Sequence, residues 1–437
     1  MKVKKDKVKL ITLGCSKNLV DSEFIFSQLR SNDIEIVEDE DKAENVIINT
    51  CGFIESAKQE SIDTIMRAVD LKLKGKLKNV YVAGCLSDRY KEELEKSIPE
   101  VDKYFGATDK PNTLKGILNE LGADYKNNLV GERILTTPSH FAYLKISEGC
   151  DNPCSFCAIP IMRGNHRSKP LQDIITEGQK LASKGVKELV VIGQDTTYWG
   201  FDLADKKRNL SLVLSELSQI KGIEWIRLMY AYPSRFPADL IDTFNRHDNI
   251  CKYIDIPVQH VSDNVLKSMR RGITKSSLTR LLESLRKEIP GIAVRTTIIA
   301  GYPDETEKDF RELLDFVTNF RFDRLGVFIY SNEEGTAAAT IPDRIPLKEK
   351  LLRQKLILDA QKEISLENNI SSIGKSERVL IDRKENGYSI GRSYKDAPEI
   401  DQEVYVNDDS LMTGEFYDVK IFDTEEFDLF AEVEKSN

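Results

Sequence analysis

The hydrophobic positions in the first third of the chain form short runs separated by amphipathic stretches. Three of these runs, at residues 8–13, 46–48 and 80–83, have the length and apolar content of buried β-strands. Strands that alternate with helical patterns are typical of an open α/β domain. We therefore predict an N-terminal open α/β domain over residues 1–135.

The same alternation recurs six times between residues 136 and 370. After Pro170, Leu171, Ile174 and Leu181 recur on one helical face and Gly185 can end the helix. The strands are predicted at residues 142–147, 188–193, 225–230, 253–257, 292–300 and 325–330. Six βα units predict a partial (βα)6 barrel, whose active site forms on the loops that leave the carboxyl ends of the strands.

The last segment, residues 371–437, contains short apolar runs between Gly, Asn and Asp turns. We predict strands at residues 378–381, 388–390, 403–406 and 417–421, which together suit a small antiparallel β-barrel. A helical stretch at residues 347–369 would connect this barrel to the preceding domain.

Composition and charge narrow the class of protein. The chain has 437 residues, of which 40% are apolar, so it can bury real cores and is not a disordered protein. No apolar stretch is long enough for a signal peptide or a membrane span, which predicts a cytoplasmic protein with no membrane partner. Residues 374–437 carry 8 Lys and Arg against 17 Asp and Glu, while the rest of the chain is balanced.

This acidic C-terminal segment bears on the choice of partner. Nucleic-acid binding depends on Lys and Arg that neutralise phosphates, so a segment of net negative charge would repel RNA. It would attract a basic protein instead. A surface that only improves solubility is the alternative interpretation.

Three of the seven cysteines, Cys150, Cys154 and Cys157, form a C-x3-C-x2-C motif after the first predicted barrel strand. This spacing can hold three irons of a four-iron cluster and leave the fourth iron open to a ligand. Seven cysteines in a reducing cytosol favour metal ligands, reactive thiols or core residues over disulfides. A structural zinc site that uses the nearby His166 remains an alternative.

Another three cysteines, Cys15, Cys51 and Cys85, each follow one of the predicted N-terminal strands. The carboxyl ends of neighbouring parallel strands lie close together, so these thiols can converge on a second cluster. Alternatively, they are small buried residues in βα turns. The seventh cysteine, Cys251, lies in an apolar run and is predicted to be a core residue.

These motifs resemble those of the radical S-adenosylmethionine methylthiotransferases, and the resemblance covers essentially the whole chain. The C-x3-C-x2-C motif is followed by Ala158-Ile159-Pro160 and Arg163-Gly164, as in that family's radical motif. Cys15, Cys51 and Cys85 match its N-terminal cluster ligands, and the acidic segment corresponds to its TRAM domain. The resemblance implies two 4Fe-4S clusters and S-adenosylmethionine as cofactors.

Further motifs are similar to the branch of this family that modifies a ribosomal protein. They are Leu13-Gly14-Cys15-Ser16-Lys17-Asn18, Gln194-Asp195-Thr196-Thr197-Tyr198 and Gly391-Arg392-Ser393. The implied reaction adds a methylthio group to the β-carbon of an aspartate in the twelfth protein of the small ribosomal subunit.

The resemblance also implies that Phe156, Gln194 and Gly301 contact the cofactor. It implies a flavodoxin or ferredoxin as electron donor and no direct nucleic-acid substrate. Two alternatives stay open: a transfer-RNA methylthiotransferase, and a non-enzymatic iron-sulfur or zinc module.

Overall fold

The computed structural model describes residues 6–107, 111–205 and 209–434. Its first domain contains a parallel sheet in the order β1-β2-β3-β4. The strands are Val8–Thr12 (β1), Asn45–Thr50 (β2), Asn79–Gly84 (β3) and Lys103–Tyr104 (β4), and the helices are Ser16–Ser31 (α1), Glu55–Leu73 (α2), Cys85–Ser97 (α3) and Pro111–Glu120 (α4). Every residue of β2 is buried because the neighbouring elements cover both faces of the sheet.

The second domain is built on six parallel strands in the order β12-β11-β10-β9-β8-β5. The strands of this domain are Phe141–Lys145 (β5), Ser147–Glu148 (β6), Arg167–Ser168 (β7), Glu188–Ile192 (β8), Trp225–Leu228 (β9), Ile250–Asp255 (β10), Ala293–Ala300 (β11) and Arg324–Ile329 (β12). Of these, β6 and β7 lie outside the six-stranded sheet. Its helices are Ile159–Arg163 (α5), Leu171–Ser183 (α6), Leu210–Ser218 (α7), Leu240–Arg246 (α8), Asp263–Ser268 (α9), Lys275–Glu288 (α10), Glu307–Phe320 (α11) and Leu347–Ile370 (α12). The predicted partial (βα)6 barrel is confirmed.

Side chains alternate between the two faces of this curved sheet. In β8, Leu189 and Val191 point outward and join the largest core, which the helices complete. Val190 and Ile192 point into the barrel and pack in the cluster that contains Phe141 of β5. No helix in the described part of the chain has the length and apolar character that crossing a membrane requires.

The C-terminal domain is a closed five-stranded barrel in the order β13-β14-β15-β17-β16. Its strands are Ser376–Glu385 (β13), Tyr388–Arg392 (β14), Glu403–Val406 (β15), Phe416–Thr424 (β16) and Asp428–Val433 (β17). All neighbouring pairs are antiparallel except β15 with β17. The sequence analysis identified four of these strands and missed β17, which begins directly after the acidic turn Glu425-Glu426.

Acidic residues of the C-terminal domain pair with arginines near the amino-terminal ends of the barrel strands. Arg324 donates to Asp396 at 2.7 Å, and Arg295 donates to Asp401 at 3.2 Å. Arg392, at the end of β14, lies 2.9 Å from Glu188 at the start of β8. Part of the acidic charge that was expected to attract a basic partner therefore forms ion pairs within the chain.

Asp382 is a further contact between these two domains. It accepts hydrogen bonds from Arg392 at 2.6 Å and is paired with His140 at 2.7 Å. Burial raises the pKa of Asp382, but Arg392 and His140 outweigh that effect and hold it at about 2, below the ordinary 3.8. The lowered pKa means that ionised Asp382 stabilises the docked state above about pH 4, and that this stabilisation is lost as the pH falls towards 2.

We expect the substitution Asp382→Asn to lower the free energy of unfolding by about 2 kcal/mol at pH 7, because the charge that both partners bind is removed. Thermal unfolding followed by circular dichroism measures this loss. The difference from the unmodified protein should shrink below pH 4, where Asp382 itself becomes neutral. Glu385→Gln, an exposed change on the same strand, is the control. A difference that stays constant from pH 7 to pH 3 would contradict this account.

Candidate functional site

Cys15, Cys51 and Cys85 converge at the carboxyl edge of the N-terminal sheet. Cys15 lies between β1 and α1, Cys51 directly follows β2, and Cys85 follows β3 as the first residue of α3. Gly14 has a φ of +88°, and a Cβ there would lie 2.8 Å from the Cys51 sulfur. Only glycine lets the backbone before Cys15 approach Cys51 this closely.

Without a bound metal group, the buried thiols of this site are held in their protonated form. Burial raises the pKa of Cys85 to about 12, and the charges of Cys15 and Cys51 contribute to that rise. Burial likewise raises the pKa of Cys51. Metal binding would displace the thiol protons. Arg163 already donates from Nε to the Cys85 sulfur at 3.1 Å, which favours the negatively charged form.

Cys150, Cys154 and Cys157 lie on the loop after β6, at the carboxyl end of the barrel. Gly149 has a φ of +75°, and a Cβ there would collide with the Asn165 carbonyl oxygen, so the chain can enter this loop only with glycine. The Cys157 amide donates to the Cys154 carbonyl at 3.1 Å, which makes the turn that separates the last two sulfurs.

Side-chain groups lie within hydrogen-bond distance of the Cys150 and Cys154 sulfurs. Asn152 Nδ2 lies 3.4 Å from the Cys150 sulfur. Arg271 Nη1 lies 3.3 Å from the Cys154 sulfur, and the Tyr232 hydroxyl lies 3.5 Å from it. Hydrogen bonds to cluster sulfurs tune reduction potential, so these donors suit a redox group. Burial raises the pKa of Cys157 to about 12.

The zinc alternative is not favoured by the positions of the side chains. His166 hydrogen-bonds through Nε2 to Ser168 Oγ at 3.1 Å, and its ring packs edge-on against Tyr198. In the described residues, no three His, Cys, Asp or Glu side chains group tightly enough for one metal ion. A cluster does not need such convergence, because each thiolate binds a different iron.

The short helix α5 connects the two cysteine sets. It begins two residues after Cys157, and Ala158 and Met162 pack against Cys85. At its end, Arg163 reaches back into the N-terminal domain and donates to Asp21 at 2.7 Å. Cys85 of one set therefore packs against the helix that directly follows the other set.

Arg163 belongs to a buried charge network that the sequence analysis missed. Lys145 pairs with Asp21 and with Glu148, the latter at 2.6 Å. Arg163 also contacts Glu148 at 3.4 Å and Asn18. Burial raises the pKa of Glu148, but Lys145 and Arg163 outweigh it and keep the carboxyl ionised. Arg163-Gly164 and Asn18 lie within the motifs already quoted, but sequence alone gives no sign that they meet.

The three predicted cofactor contacts have different surroundings. Gln194 donates to Glu148, while its Oε1 is buried and has no hydrogen-bond donor in the described structure. Phe156 packs beside an apolar cluster that includes Met269 and Tyr302. Gly301 has a φ of +74°, and the Lys350 side chain covers the position where a Cβ would be. Of the three, Gln194 has a polar atom that still lacks a partner.

Two further residues, Cys251 and His260, are buried in the core. Cys251 is buried in β10, which confirms the prediction, and burial raises its pKa to about 12. His260, on the loop after the fourth barrel strand, accepts a hydrogen bond at Nδ1 from the Ser262 amide. Burial lowers the pKa of His260 to about 3, so it is neutral.

The barrel fold has counterparts among solved structures. A radical S-adenosylmethionine methyltransferase, TsrM, from Kitasatospora setae has a TM-score of 0.54 at 14% identity, covering 77% of each chain. The cobalamin-dependent S-adenosylmethionine radical enzyme OxsB has a TM-score of 0.52 at 14% identity, covering 81% of this chain and 56% of the other. At these identities the likeness concerns the fold alone.

Sequence comparisons divide the chain in the same way. Residues 7–106 match the uncharacterized protein family UPF0004, residues 144–317 match the radical SAM superfamily, and residues 373–433 match the TRAM domain. "Ribosomal protein uS12 methylthiotransferase RimO" from Cytophaga hutchinsonii is 55% identical, covering 99% of this chain and 98% of that protein. The protein of the same name from Christiangramia forsetii is 51% identical, covering 98% and 95%. The chain therefore belongs to the RimO family of ribosomal protein uS12 methylthiotransferases, which are sulfur-transferring enzymes.

Proposed function

We propose that this enzyme transfers a methylthio group to the β-carbon of an aspartate in uS12, the twelfth protein of the small ribosomal subunit. The observation that carries the proposal is the pair of three-cysteine sets that α5 links, since it follows Cys157 and packs against Cys85. One set has the C-x3-C-x2-C spacing that leaves an open iron. The relatives' names supply the substrate.

In this proposal each cysteine set holds one 4Fe-4S cluster. Cys150, Cys154 and Cys157 hold the cluster that binds S-adenosylmethionine, and the other three cysteines hold the second. With S-adenosylmethionine bound, the first cluster supplies one-electron chemistry that can activate an unreactive C–H bond. A flavodoxin or ferredoxin would supply the electrons.

The remaining residues of the site bind and orient. Arg271 donates to the Cys154 sulfur, which also lies beside the Tyr232 hydroxyl, and Arg163 donates to the Cys85 sulfur. Gln194 Oε1 is a buried acceptor that can take a hydrogen bond from the methionine ammonium or the ribose. Phe156 would lie against the adenine, and Gly301 would shape the cofactor's other side by admitting Lys350.

The C-terminal domain would help to recognise uS12 by charge. Asp382, Asp396 and Asp401 are used in pairs with His140, Arg324 and Arg295 of the second domain. Other acids of this domain remain exposed, namely Glu385, Asp409, Asp418, Asp423, Glu425, Glu432 and Glu434. Ribosomal proteins are basic as a class, so these exposed acids would attract uS12 and speed its encounter with the enzyme.

Mass spectrometry tests the proposed function directly. The enzyme is incubated anaerobically with S-adenosylmethionine, reductant, sulfide and uS12, and a parallel reaction contains transfer RNA. We expect an added SCH3 on one aspartate of uS12 and no modified adenosine. Modification of transfer RNA with uS12 left unchanged would establish the alternative substrate, which the relatives' names do not favour.

A further inference from the structure

Lys17 is a buried cation that lacks an acidic partner. The residue is 8% exposed, and its ammonium nitrogen lies 3.0 Å from the centre of the Tyr230 ring. Within the described parts of the chain, no ion pair or hydrogen bond is found for this ammonium. By contrast, buried Lys145 pairs with two carboxylates and buried Lys350 with one. A buried ammonium that has only an aromatic face is poorly compensated for its lost hydration.

The position of Lys17 is between the two cysteine sets. It lies in the first turn of α1, two residues after Cys15. Its partner Tyr230 lies beyond the carboxyl end of β9, two residues before Tyr232, whose hydroxyl contacts the Cys154 sulfur. The ammonium thus extends from the N-terminal cysteine set towards the barrel residues next to the other set.

Tyr230 is held in an unusual conformation under this lysine. Its φ is +59°, a value that aromatic residues rarely adopt. Its amide donates to Asp255 at 3.1 Å, and its carbonyl accepts from the Thr196 amide at 3.1 Å. Backbone strain that neighbouring contacts maintain in this way is common at ligand sites.

The acids near this position have partners already. Asp21 and Glu148 are paired with Lys145 and Arg163. Asp255 is paired with Arg295 at 2.9 Å. Asp195 accepts hydrogen bonds from Asn152 and from Thr197. None of these acids is paired with Lys17 in the described part of the chain, so its ammonium can accept a carboxylate from a bound substrate.

We propose that Lys17 binds the side-chain carboxylate of the substrate aspartate. The inference rests on the proposed function and adds a residue that selects the substrate. In aspartate the carboxylate is attached directly to the β-carbon, so fixing the carboxylate also fixes the carbon to be modified. A site built around a charged group rejects an analogue that lacks the charge, because the buried ammonium is then left unpaired.

Binding of uS12 to the reconstituted enzyme tests this assignment. Two forms of uS12 are compared, with Asp or Asn at the position that is modified. We expect the unmodified enzyme to bind the Asp form about tenfold more tightly, as for a charge-assisted contact. Lys17→Met should bind both forms equally, whereas Lys17→Arg should keep part of the preference. Lys115→Met is the control, because Lys115 also lies over a tyrosine ring, 5.5 Å from that of Tyr125, but is exposed.

Several results would overturn the assignment. One is a Lys17→Met enzyme that still binds the Asp form more tightly. Another is an unmodified enzyme that binds the two forms equally, a result that does not depend on the folding of any variant. A third is a Lys17→Met enzyme with weakened binding of labelled S-adenosylmethionine and an unchanged preference, since the lysine would then serve the cofactor. The proposed function fails separately, if the unmodified enzyme adds no SCH3 to uS12.

Discussion

The substitution Cys154→Ala should lower the rate at which 5'-deoxyadenosine forms from S-adenosylmethionine by at least about a hundredfold. Cys154 is the middle cysteine of the motif, and its sulfur is the one that Arg271 and Tyr232 contact. In the proposed site, the cluster would then lack a ligand and S-adenosylmethionine would lack its open iron. Cys51→Ala should instead leave most of this activity and stop transfer of the methylthio group. Cys51 and Cys154 lie on loops of different domains, so the loss of one set should not dismantle the other.

Both products can be measured in one reaction, by chromatography for 5'-deoxyadenosine and mass spectrometry for modified uS12. Cys251→Ala is the matched control, because Cys251 is a buried cysteine that packs in the barrel core. It should keep both activities. Equal loss of 5'-deoxyadenosine in Cys51→Ala and Cys154→Ala would contradict two separate clusters.

Replacing Arg163 by Met should destabilise the contact between the first two domains by about 3–5 kcal/mol, because removal of one member of a buried charge network leaves the others unpaired. Asp21 and Glu148 would then depend on the single ammonium of Lys145 to balance their two negative charges. The Cys85 sulfur would lose its hydrogen bond, so assembly of the N-terminal cluster should suffer first. We expect methylthio transfer to fall at least about tenfold, more than 5'-deoxyadenosine formation does.

Urea unfolding and the two product assays measure these effects. Arg311→Met is the control, since Arg311 is an exposed arginine that pairs with Glu307 at 2.9 Å on the surface of α11. Arg163→Lys keeps the charge but not the several contacts of the guanidinium. Its stability and methylthio transfer should therefore lie between those of Arg163→Met and those of the unmodified protein. Unchanged stability with equal loss of both products would contradict a role for Arg163 in joining the domains.

The features that the sequence predicted are those with local causes. Alternating apolar runs placed the strands of the two α/β domains, and each cysteine of the N-terminal set follows such a run. The C-x3-C-x2-C motif lies on one short loop, so its spacing predicted a cluster site, with a zinc site as the alternative. The roles of Phe156, Gln194 and Gly301 came from family resemblance and stay predictions.

The features that the sequence did not predict depend on contacts between distant segments. Arg163 meets Asn18 and Cys85 only after two domains have folded against each other. Asp401 and Arg295 are similarly far apart in the chain, so a count of charges overstated how much of the acidic segment is available to a partner. Nothing in the local sequence shows that Lys350 covers Gly301.

Iron and sulfide analysis of protein prepared without oxygen tests the central claim, which is that six cysteines hold two clusters. We expect about eight irons and about eight sulfides per chain. A variant with Cys15, Cys51 and Cys85 all replaced by Ala should retain about four irons, and so should the variant that lacks the other three cysteines. About four irons in the unmodified protein, lost entirely in either triple variant, would contradict two independent clusters.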